Sequence, residues 1–311
     1  MLHYFVKNAV SGEYQKLSVP RFKDVWIHAG NATVADVQEV SRDANLNLNI
    51  VHDVTDADEL PRVEYDDEGN LYVFSRIPKK DQHGYVTSSP LLSIVAKDAF
   101  VTLSHDGSLV PTELTKIKLK AKQDQSVNLL INSIAHVVQT YEELIQQTGH
   151  AVKEIGKRLR THEVTNKDFV RFVTIEDNLN EYQMNLNGLH SVTQRLSENR
   201  HKSFHASDTE ALSDIALHIQ QLCSAIQGYS QTVSSIRNAY STIANNTLNQ
   251  RMKVLTLLTV LIALPNVFYG MFGMNVPLPF QTEPWAYGAI TGFTVVVITI
   301  VFILVKKFKA F

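Results

Sequence analysis

Two long uncharged stretches near the C-terminus constrain the fold of this chain more than any other feature. No Asp, Glu, Lys or Arg occurs between Val254 and Thr282, and a second uncharged run extends from Ala286 to Val305. A helix needs roughly 20 apolar residues to cross a bilayer core of about 30 Å. We therefore predict two transmembrane helices, a pore-lining first span at 254–273 and a second span at 286–305. The alternative is that both are buried helices of a soluble core.

The charges that flank the spans predict their orientation. Arg251 and Lys253 precede the first span, the basic tail 306–311 follows the second, and the connecting loop 274–285 contains no Lys or Arg. The positive-inside rule then places both termini in the cytosol and the loop outside. The N-terminus lacks the apolar core of a signal peptide. We expect a multi-pass protein of the cell membrane (plasma or inner membrane) with a cytoplasmic N-terminal region.

The residues before the first span predict one very long helix. Apolar residues recur there at alternating spacings of three and four, which is typical of a helix that packs along its length against other helices: Leu212, Ile215, Ile219, Leu222, Ile226, Tyr229, Val233, Ile236, Tyr240 and Ile243. No Pro interrupts 206–264, so a stalk helix over 206–253 continues into the membrane. Its last part, 244–250, is rich in amides. That composition suits either the mouth of a watery passage or an ordinary helix–membrane junction.

The remaining residues predict an α+β cytoplasmic domain over 1–115 and a helical hairpin over 116–205. Strand and turn signals are strongest at 25–27, at 62–65 and 71–77 around the turn 66–70, and at 91–96 and 100–104. A helix is predicted at 33–44 with Asn31 or Thr33 as its N-cap. Two further helices are predicted at 126–160 and 169–196 from their apolar spacing, the second preceded by a capping box at 165–168.

Composition excludes several function classes. Of 29 basic and 31 acidic residues, five basic and one acidic fall in 251–311, so residues 1–250 carry a net charge of −6. An acidic soluble part suits cations and provides no electrostatic footprint for nucleic acid. The single Cys223 excludes an intramolecular disulfide. Phosphate-loop, nucleophile-elbow and zinc-protease motifs are all missing, so we do not expect an enzyme.

Three residues that close the first span, Gly273-Met274-Asn275, resemble the signature of the CorA family of divalent-cation channels. Their position before a short loop, with a basic tail beyond the second span, makes the resemblance specific. Upstream, the stretch 249–256 resembles the start of the family's pore helix, and 26–27, 51–53 and 61–64 resemble its cytoplasmic domain. The resemblance implies a funnel-shaped homopentamer in the lipid bilayer that transports Mg2+, Co2+ or Ni2+. The related ZntB zinc transporters share the tripeptide.

The resemblance also implies a cation path. A selectivity filter would consist of Gly273, Met274 and Asn275, because five neutral amides can accept hydrogen bonds from the water shell that Mg2+ keeps. Pore and gate positions carried over from the family would be Asn249, Met252, Leu255, Thr256, Thr259 and Ala263. Met252 and Leu255 would form an apolar constriction that gates by dewetting. The two Thr hydroxyls would face the path or simply bond back to their own helix. Phe272 replaces the family's usual Tyr, and Ala263 replaces a common Met.

A regulatory metal site is the last expectation from the resemblance. Asp53 and Asp214 match carboxylates that bridge neighbouring subunits through a bound divalent ion, which would favour a closed state. His52 stands where the family often has Glu. It indicates a missing second site, a site that tolerates Zn2+, Ni2+ or Co2+, or an incidental surface residue.

Three functions remain open at this stage. The first is Mg2+ uptake through a channel that also accepts Co2+ and Ni2+, and the second is proton-coupled zinc transport on a ZntB-like scaffold. The third is a membrane-anchored coiled-coil sensor that transports nothing.

Overall fold

The computed structural model describes residues 1–8, 13–20, 23–106, 124–160, 166–274 and 282–307. They form two units, Met1–Ile236 and Arg237–Phe311. The strands are β1 (His3–Lys7), β2 (Tyr14–Leu17), β3 (Val25–Ala29), β4 (Arg62–Tyr65), β5 (Leu71–Lys80), β6 (Val86–Val95) and β7 (Ala99–Ser104). The helices are α1 (Val34–Asp43), α2 (Leu48–His52), α3 (Gln125–Arg160), α4 (Asn166–Ser197), α5 (Ala206–Phe272) and α6 (Ala286–Lys307), with a 3-10 turn at Asp53–Thr55.

The seven strands form one mixed sheet in the order β2-β1-β3-β7-β6-β5-β4. Only β3 and β7 pair in parallel, with Trp26 opposite Phe100; the other neighbouring pairs are antiparallel. All five residues of β3 are buried. A strand covered on both faces has apolar residues in succession, which is why Val25-Trp26-Ile27 stands out in the sequence.

Two separate apolar cores cover the faces of this sheet. On one face, Val37 and Val40 of α1 and Val51 of α2 pack with Ile27 and its neighbours. The other face packs against α3, α4 and the first part of α5. Trp26 is fully buried on this second face, and its indole Nε1 donates a hydrogen bond of 2.8 Å to Thr102 Oγ1. The first unit is therefore a three-layer α/β/α arrangement, in agreement with the expected mixed fold.

The apolar stripe of α5 belongs to the core of the first unit as far as Ile236. Leu212, Ile219 and Ile226 are at most 1% exposed and join the same core as residues of α3 and α4. Close approach is possible because α3 carries Gly149, where an added Cβ would come within 2.5 Å of the Tyr229 ring. The prediction that this helix packs against other helices is confirmed for this stretch.

In the second unit, two helices are long and apolar enough to cross a membrane, and the apolar window of α5 is not buried within one chain. A core helix of a soluble protein would be mostly buried, so the soluble-core alternative does not fit. α6 packs against α5 through Phe293 and Phe268, whose rings meet edge to face at 5.2 Å. Pro265 lies inside α5 without ending it. Pro is tolerated in a transmembrane helix.

Several local predictions are confirmed and others were incomplete. Thr33, not Asn31, caps α1, because its hydroxyl accepts from the Asp36 amide while Asp36 accepts from the Thr33 amide. The strands around the turn 66–70 occur as expected, although β6 begins earlier than predicted, at Val86. Strands β1 and β2 and helix α2 were not predicted. The capping box at 165–168 and the boundary near 115 involve residues outside those described.

Candidate cation path and metal site

One face of α5 carries nearly all the pore positions expected from the sequence. At 3.6 residues per turn, five of them lie within about 80° of one another around the helix: Asn249, Met252, Thr256, Thr259 and Ala263. Leu255 lies about 40° beyond the edge of this stripe. All six side chains are exposed in the single chain. Val267 and Gly270 continue the same face towards the end of the helix. We call 249, 252, 256, 259, 263, 267 and 270 the path stripe.

The path stripe and the side of α5 that faces α6 are different sides of the helix. The partly covered residues of this segment include Leu257, Leu261, Leu264 and Phe268, and Phe268 contacts Phe293 of α6. Their mean direction lies about 130° around the helix from the path stripe. The second helix of the unit therefore leaves the stripe uncovered.

The two Thr hydroxyls of the stripe bond back to their own helix. Thr256 Oγ1 donates to the Met252 carbonyl, and Thr259 Oγ1 donates to the Leu255 carbonyl, both at 2.9 Å. A hydroxyl has one hydrogen and two lone pairs. Because the hydrogen is used within the helix, each oxygen can offer only lone pairs to its surroundings. That is the polarity that a cation or the hydrogens of its water shell require.

The helix ends where the signature tripeptide begins. The Gly273 amide donates to the carbonyls of Tyr269 and Gly270 at 3.0 and 3.2 Å, and the Met274 amide donates to Met271 at 3.2 Å. These bonds satisfy carbonyls that would otherwise be left open at a helix C-terminus. Met274 is 53% exposed. Asn275 lies outside the described residues, so its position as a ring at the mouth stays a prediction.

Asp53, one of the two expected regulatory carboxylates, pairs with an arginine. Its Oδ2 accepts a hydrogen bond of 2.6 Å from Arg62 Nη2. The same guanidinium also pairs with Glu59 and Glu64, and it lies 4.1 Å from the centre of the Phe74 ring. Sequence reasoning did not assign a role to Arg62, Glu59 or Glu64. The alternation Arg62-Val63-Glu64 could have indicated that Arg62 and Glu64 lie side by side, since residues two apart on a strand share a face.

A buried arginine fixes the loop that carries Glu59. Arg76 of β5 donates from Nη1 to the carbonyls of Ala57 and Glu59, at 2.9 and 2.6 Å. It also bonds Ser88 through Nε and Nη2. Because Arg76 is only 8% exposed and all three of its guanidinium nitrogens donate hydrogen bonds, the loop between Asp53 and Arg62 is anchored at Ala57 and Glu59. One of the three carboxylates around Arg62, Glu59, therefore lies on an anchored loop.

The other proposed regulatory residues are exposed. Asp214 lies on the exposed side of α5, and His52 is exposed in the last turn of α2, with its carbonyl accepting from Thr55 Oγ1 at 2.8 Å. Among the described residues, no three His, Cys, Asp or Glu side chains form a group that could hold a metal ion. Carboxylates are the ligands that Mg2+ prefers, so Asp53 and Asp214 have suitable chemistry, but one chain does not assemble a site from them.

Comparison with known proteins decides the family. A family model described as "CorA-like Mg2+ transporter protein" matches residues 23–307.

The chain belongs to the CorA family.

Relatives of this CorA chain match over nearly the full length at low identity. The cobalt/magnesium transport proteins CorA of Methanocaldococcus jannaschii and Thermotoga maritima are each 20% identical to this chain. Both matches cover 94% of this chain, and they cover 92% and 86% of the two relatives, respectively. The complete structure of the Methanocaldococcus jannaschii CorA magnesium transporter superposes with a TM-score of 0.84 at 18% identity, covering 98% and 97% of the two chains. The ZntB cytoplasmic domain from Vibrio parahaemolyticus superposes with a TM-score of 0.62 at 11% identity, and the match covers 78% of this chain and 98% of that domain.

Family membership settles the class of protein. This CorA chain is a membrane transport protein for divalent cations and not an enzyme. The superposition agrees with the expected architecture of a soluble domain, a long helix and a C-terminal apolar helix. The individual roles of the path-stripe residues, Leu255, the tripeptide 273–275, Asp53, Asp214 and His52 stay predictions.

Proposed function

We propose that the chain forms a homopentamer in the cell membrane that takes up Mg2+, and also Co2+ and Ni2+, with both termini in the cytosol. The path stripe is the observation that carries this proposal. Two helices cannot enclose a water-filled passage, and α6 covers a different side of α5. Several copies of α5 with their stripes turned inward would enclose one. They would also keep Thr256 and Thr259 out of lipid, where polar groups are costly.

Selection would take place at the outer end of the stripe. Mg2+ dehydrates reluctantly and keeps several waters. Five Asn275 side chains would accept hydrogen bonds from those waters, and their neutral amides would bind the ion weakly enough to release it. The lone pairs of Thr259 and Thr256 would provide further acceptors along the path. Gly273 has no side chain to obstruct the mouth.

Closure would take place at the cytosolic end. Met252 and Leu255 are 53% and 57% exposed in one chain, and a ring of such side chains can empty of water and block ions. A divalent ion between Asp53 and Asp214 of a neighbouring copy would join two carboxylates that otherwise repel. Because the ion binds only the joined arrangement, cytosolic metal would favour the closed pentamer. His52 beside this site would extend its tolerance to softer ions.

Uptake would be driven by the membrane potential. Moving one charge through 100 mV is worth about 2.3 kcal/mol, and a divalent ion doubles this. The described spans 254–274 and 286–303 contain no carboxylate that could relay protons. This supports a passive channel more than a proton-coupled zinc transporter of the ZntB type.

Proteoliposomes containing the full chain test the proposal. We expect Mg2+, Co2+ and Ni2+ uptake that rises with an inside-negative potential and does not respond to a pH gradient. Zinc uptake that depends on the pH gradient would favour the ZntB-like alternative. The absence of flux for all of Mg2+, Co2+, Ni2+ and Zn2+ would contradict both transport functions and leave a non-transporting sensor.

Two substitutions of Asn275 test the filter in the same assay. Asn275→Ala removes the amide acceptors that attract the hydrated ion, so Mg2+ flux should fall strongly. Asn275→Asp keeps the size but adds five charges, so the ion should be held too tightly to pass. Unchanged Mg2+ flux in Asn275→Ala would rule out the amide ring.

A further inference from the structure

Arg62 forms an ion pair with Asp53, the carboxylate that the proposed regulatory site needs. Its Nη2 lies 2.6 Å from Asp53 Oδ2, so an internal cation already neutralises this oxygen. Asp53 is nevertheless accessible, with its side chain 44% exposed, whereas the Arg62 side chain is 27% exposed. A metal ion that approaches Asp53 from outside must therefore displace, or share the carboxylate with, the guanidinium.

The arginine has other partners that would keep it neutralised after such a displacement. Glu59 and Glu64 pair with its Nη1 and Nε, and the Phe74 ring lies under its Cζ at 4.1 Å. A guanidinium has five donors in a rigid fork and can serve several carboxylates at once. Losing Asp53 would remove one of its three ion pairs and would leave the other two in place.

We propose that Arg62 competes with the divalent cation for Asp53 and so raises the cytosolic metal concentration at which the pentamer closes. This inference rests on the proposed function, because it concerns regulation of the same channel. Glu59 and Glu64, which already pair with Arg62, keep the arginine neutralised when metal binds Asp53. Arg62 is a regulatory residue in this account, with no contact to the transported ion in the path.

Opposite shifts in two variants distinguish competition from general loosening. Arg62→Gln frees Asp53 and leaves three carboxylates without their cation, so metal should bind more tightly. Glu64→Gln removes a competing partner of Arg62, so the arginine should hold Asp53 more firmly and metal should bind less tightly. Arg200→Gln is the control, since Arg200 pairs with Glu198 at 2.8 Å on the surface, with its side chain 80% exposed.

The measurement is the Mg2+ concentration that half-protects the full-length protein in nanodiscs from limited proteolysis. We expect this midpoint to fall about tenfold in Arg62→Gln, to rise severalfold in Glu64→Gln and to stay unchanged in Arg200→Gln, on the usual scale of a coupling between sites. If Arg62→Gln does not fold, Arg62→Lys keeps the charge without the fork, and its midpoint should fall by less.

An unchanged or higher midpoint in the Arg62 variants would overturn the proposal, as would a fall in Glu64→Gln that matches the fall in Arg62→Gln. The absence of Mg2+ protection in the parent protein would overturn it as well. Mg2+ flux measured on the same preparations shows whether the channel function itself survives in that case.

Discussion

Two stretches of α5 share one spacing of three and four residues but have different surroundings. Between Leu212 and Ile236 the repeated positions are apolar and buried against the core of the first unit. Between Asn249 and Gly270 the path stripe carries one amide, two hydroxyls, Met, Val and small residues, and it is exposed in one chain. The spacing alone therefore indicates a shared helix face. The side chains on that face decide whether it is completed by the same chain or, as we propose, by other copies around a path.

The largest effect expected from this difference concerns two leucines of α5. Leu212 is fully buried, whereas Leu258 is 54% exposed in one chain. Leu212→Ala should lower the free energy of unfolding of the first unit by about 2–5 kcal/mol through the cavity that it leaves. Leu258→Ala should change it little, because lipid is as apolar as Leu.

Trp fluorescence during denaturation checks this prediction. The chain has two Trp, buried Trp26 and exposed Trp285, so a Trp285→Phe background reports on the first unit alone. Equal losses of stability in Leu212→Ala and Leu258→Ala would show that the two stretches are packed alike, against our account.

A second effect depends on pH and belongs to the first unit. Burial, with a smaller contribution from the charge of His3, lowers the pKa of His28 from 6.5 to about 4, and its Nδ1 lies 2.9 Å from Thr102 Oγ1. The unfolded chain therefore takes up this proton at a higher pH than the folded chain. The contribution of neutral His28 to the free energy of unfolding is fully present above about pH 6.5. It decreases by about 3 kcal/mol as the pH falls towards 4.

The same Trp26 signal, followed from pH 7 to 4, measures this dependence. His28→Gln retains a polar side chain without the titration, so the difference in stability between parent and variant should change across this interval. Parallel pH profiles for the two proteins would contradict the depressed pKa of His28.

The smallest effect concerns the contact that brings α5 close to α3. An added Cβ at Gly149 would come within 2.5 Å of the Tyr229 ring, whereas nothing lies within 4 Å of one at Gly228. Gly149→Ala should cost about 1–3 kcal/mol through overpacking. Gly228→Ala should stabilise the helix by up to about 1 kcal/mol. Thermal unfolding of the two variants should therefore shift in opposite directions, and shifts of the same sign would argue against close packing at Gly149.

Local patterns were sufficient to predict the elements whose signals lie within one segment. The buried run of β3, the turn between β4 and β5 and the Thr33 cap all depend on neighbouring residues. Strands β1 and β2 were missed because few of their residues are buried, so neither has a long apolar run, and because β1 is held between β2 and β3. Helix α2 has only five residues, and its Asn47 cap stands out only once the helix is known.

In the candidate site, too, local patterns predict some features and miss others. The path stripe follows from helical spacing within one segment, so the sequence and the resemblance were enough to place it. The arginine that pairs with Asp53 could not be placed in this way, because the 3-10 turn and β4 are brought together by the sheet and by Arg76. Asp53 was therefore predicted as a metal ligand from the resemblance, whereas its ion pair with Arg62 was not predicted.

Thiol labelling of α5 tests most directly whether the path stripe lines the cation path. In a Cys223→Ser background, which removes the only native thiol, one Cys is placed at Thr259 or at Leu257, about 160° apart around the helix. A charged, water-soluble thiol reagent is then applied from outside to proteoliposomes. We predict that it blocks Mg2+ uptake in Thr259→Cys and leaves Leu257→Cys unaffected. Block in Leu257→Cys with full uptake in Thr259→Cys would contradict the assignment of the path stripe.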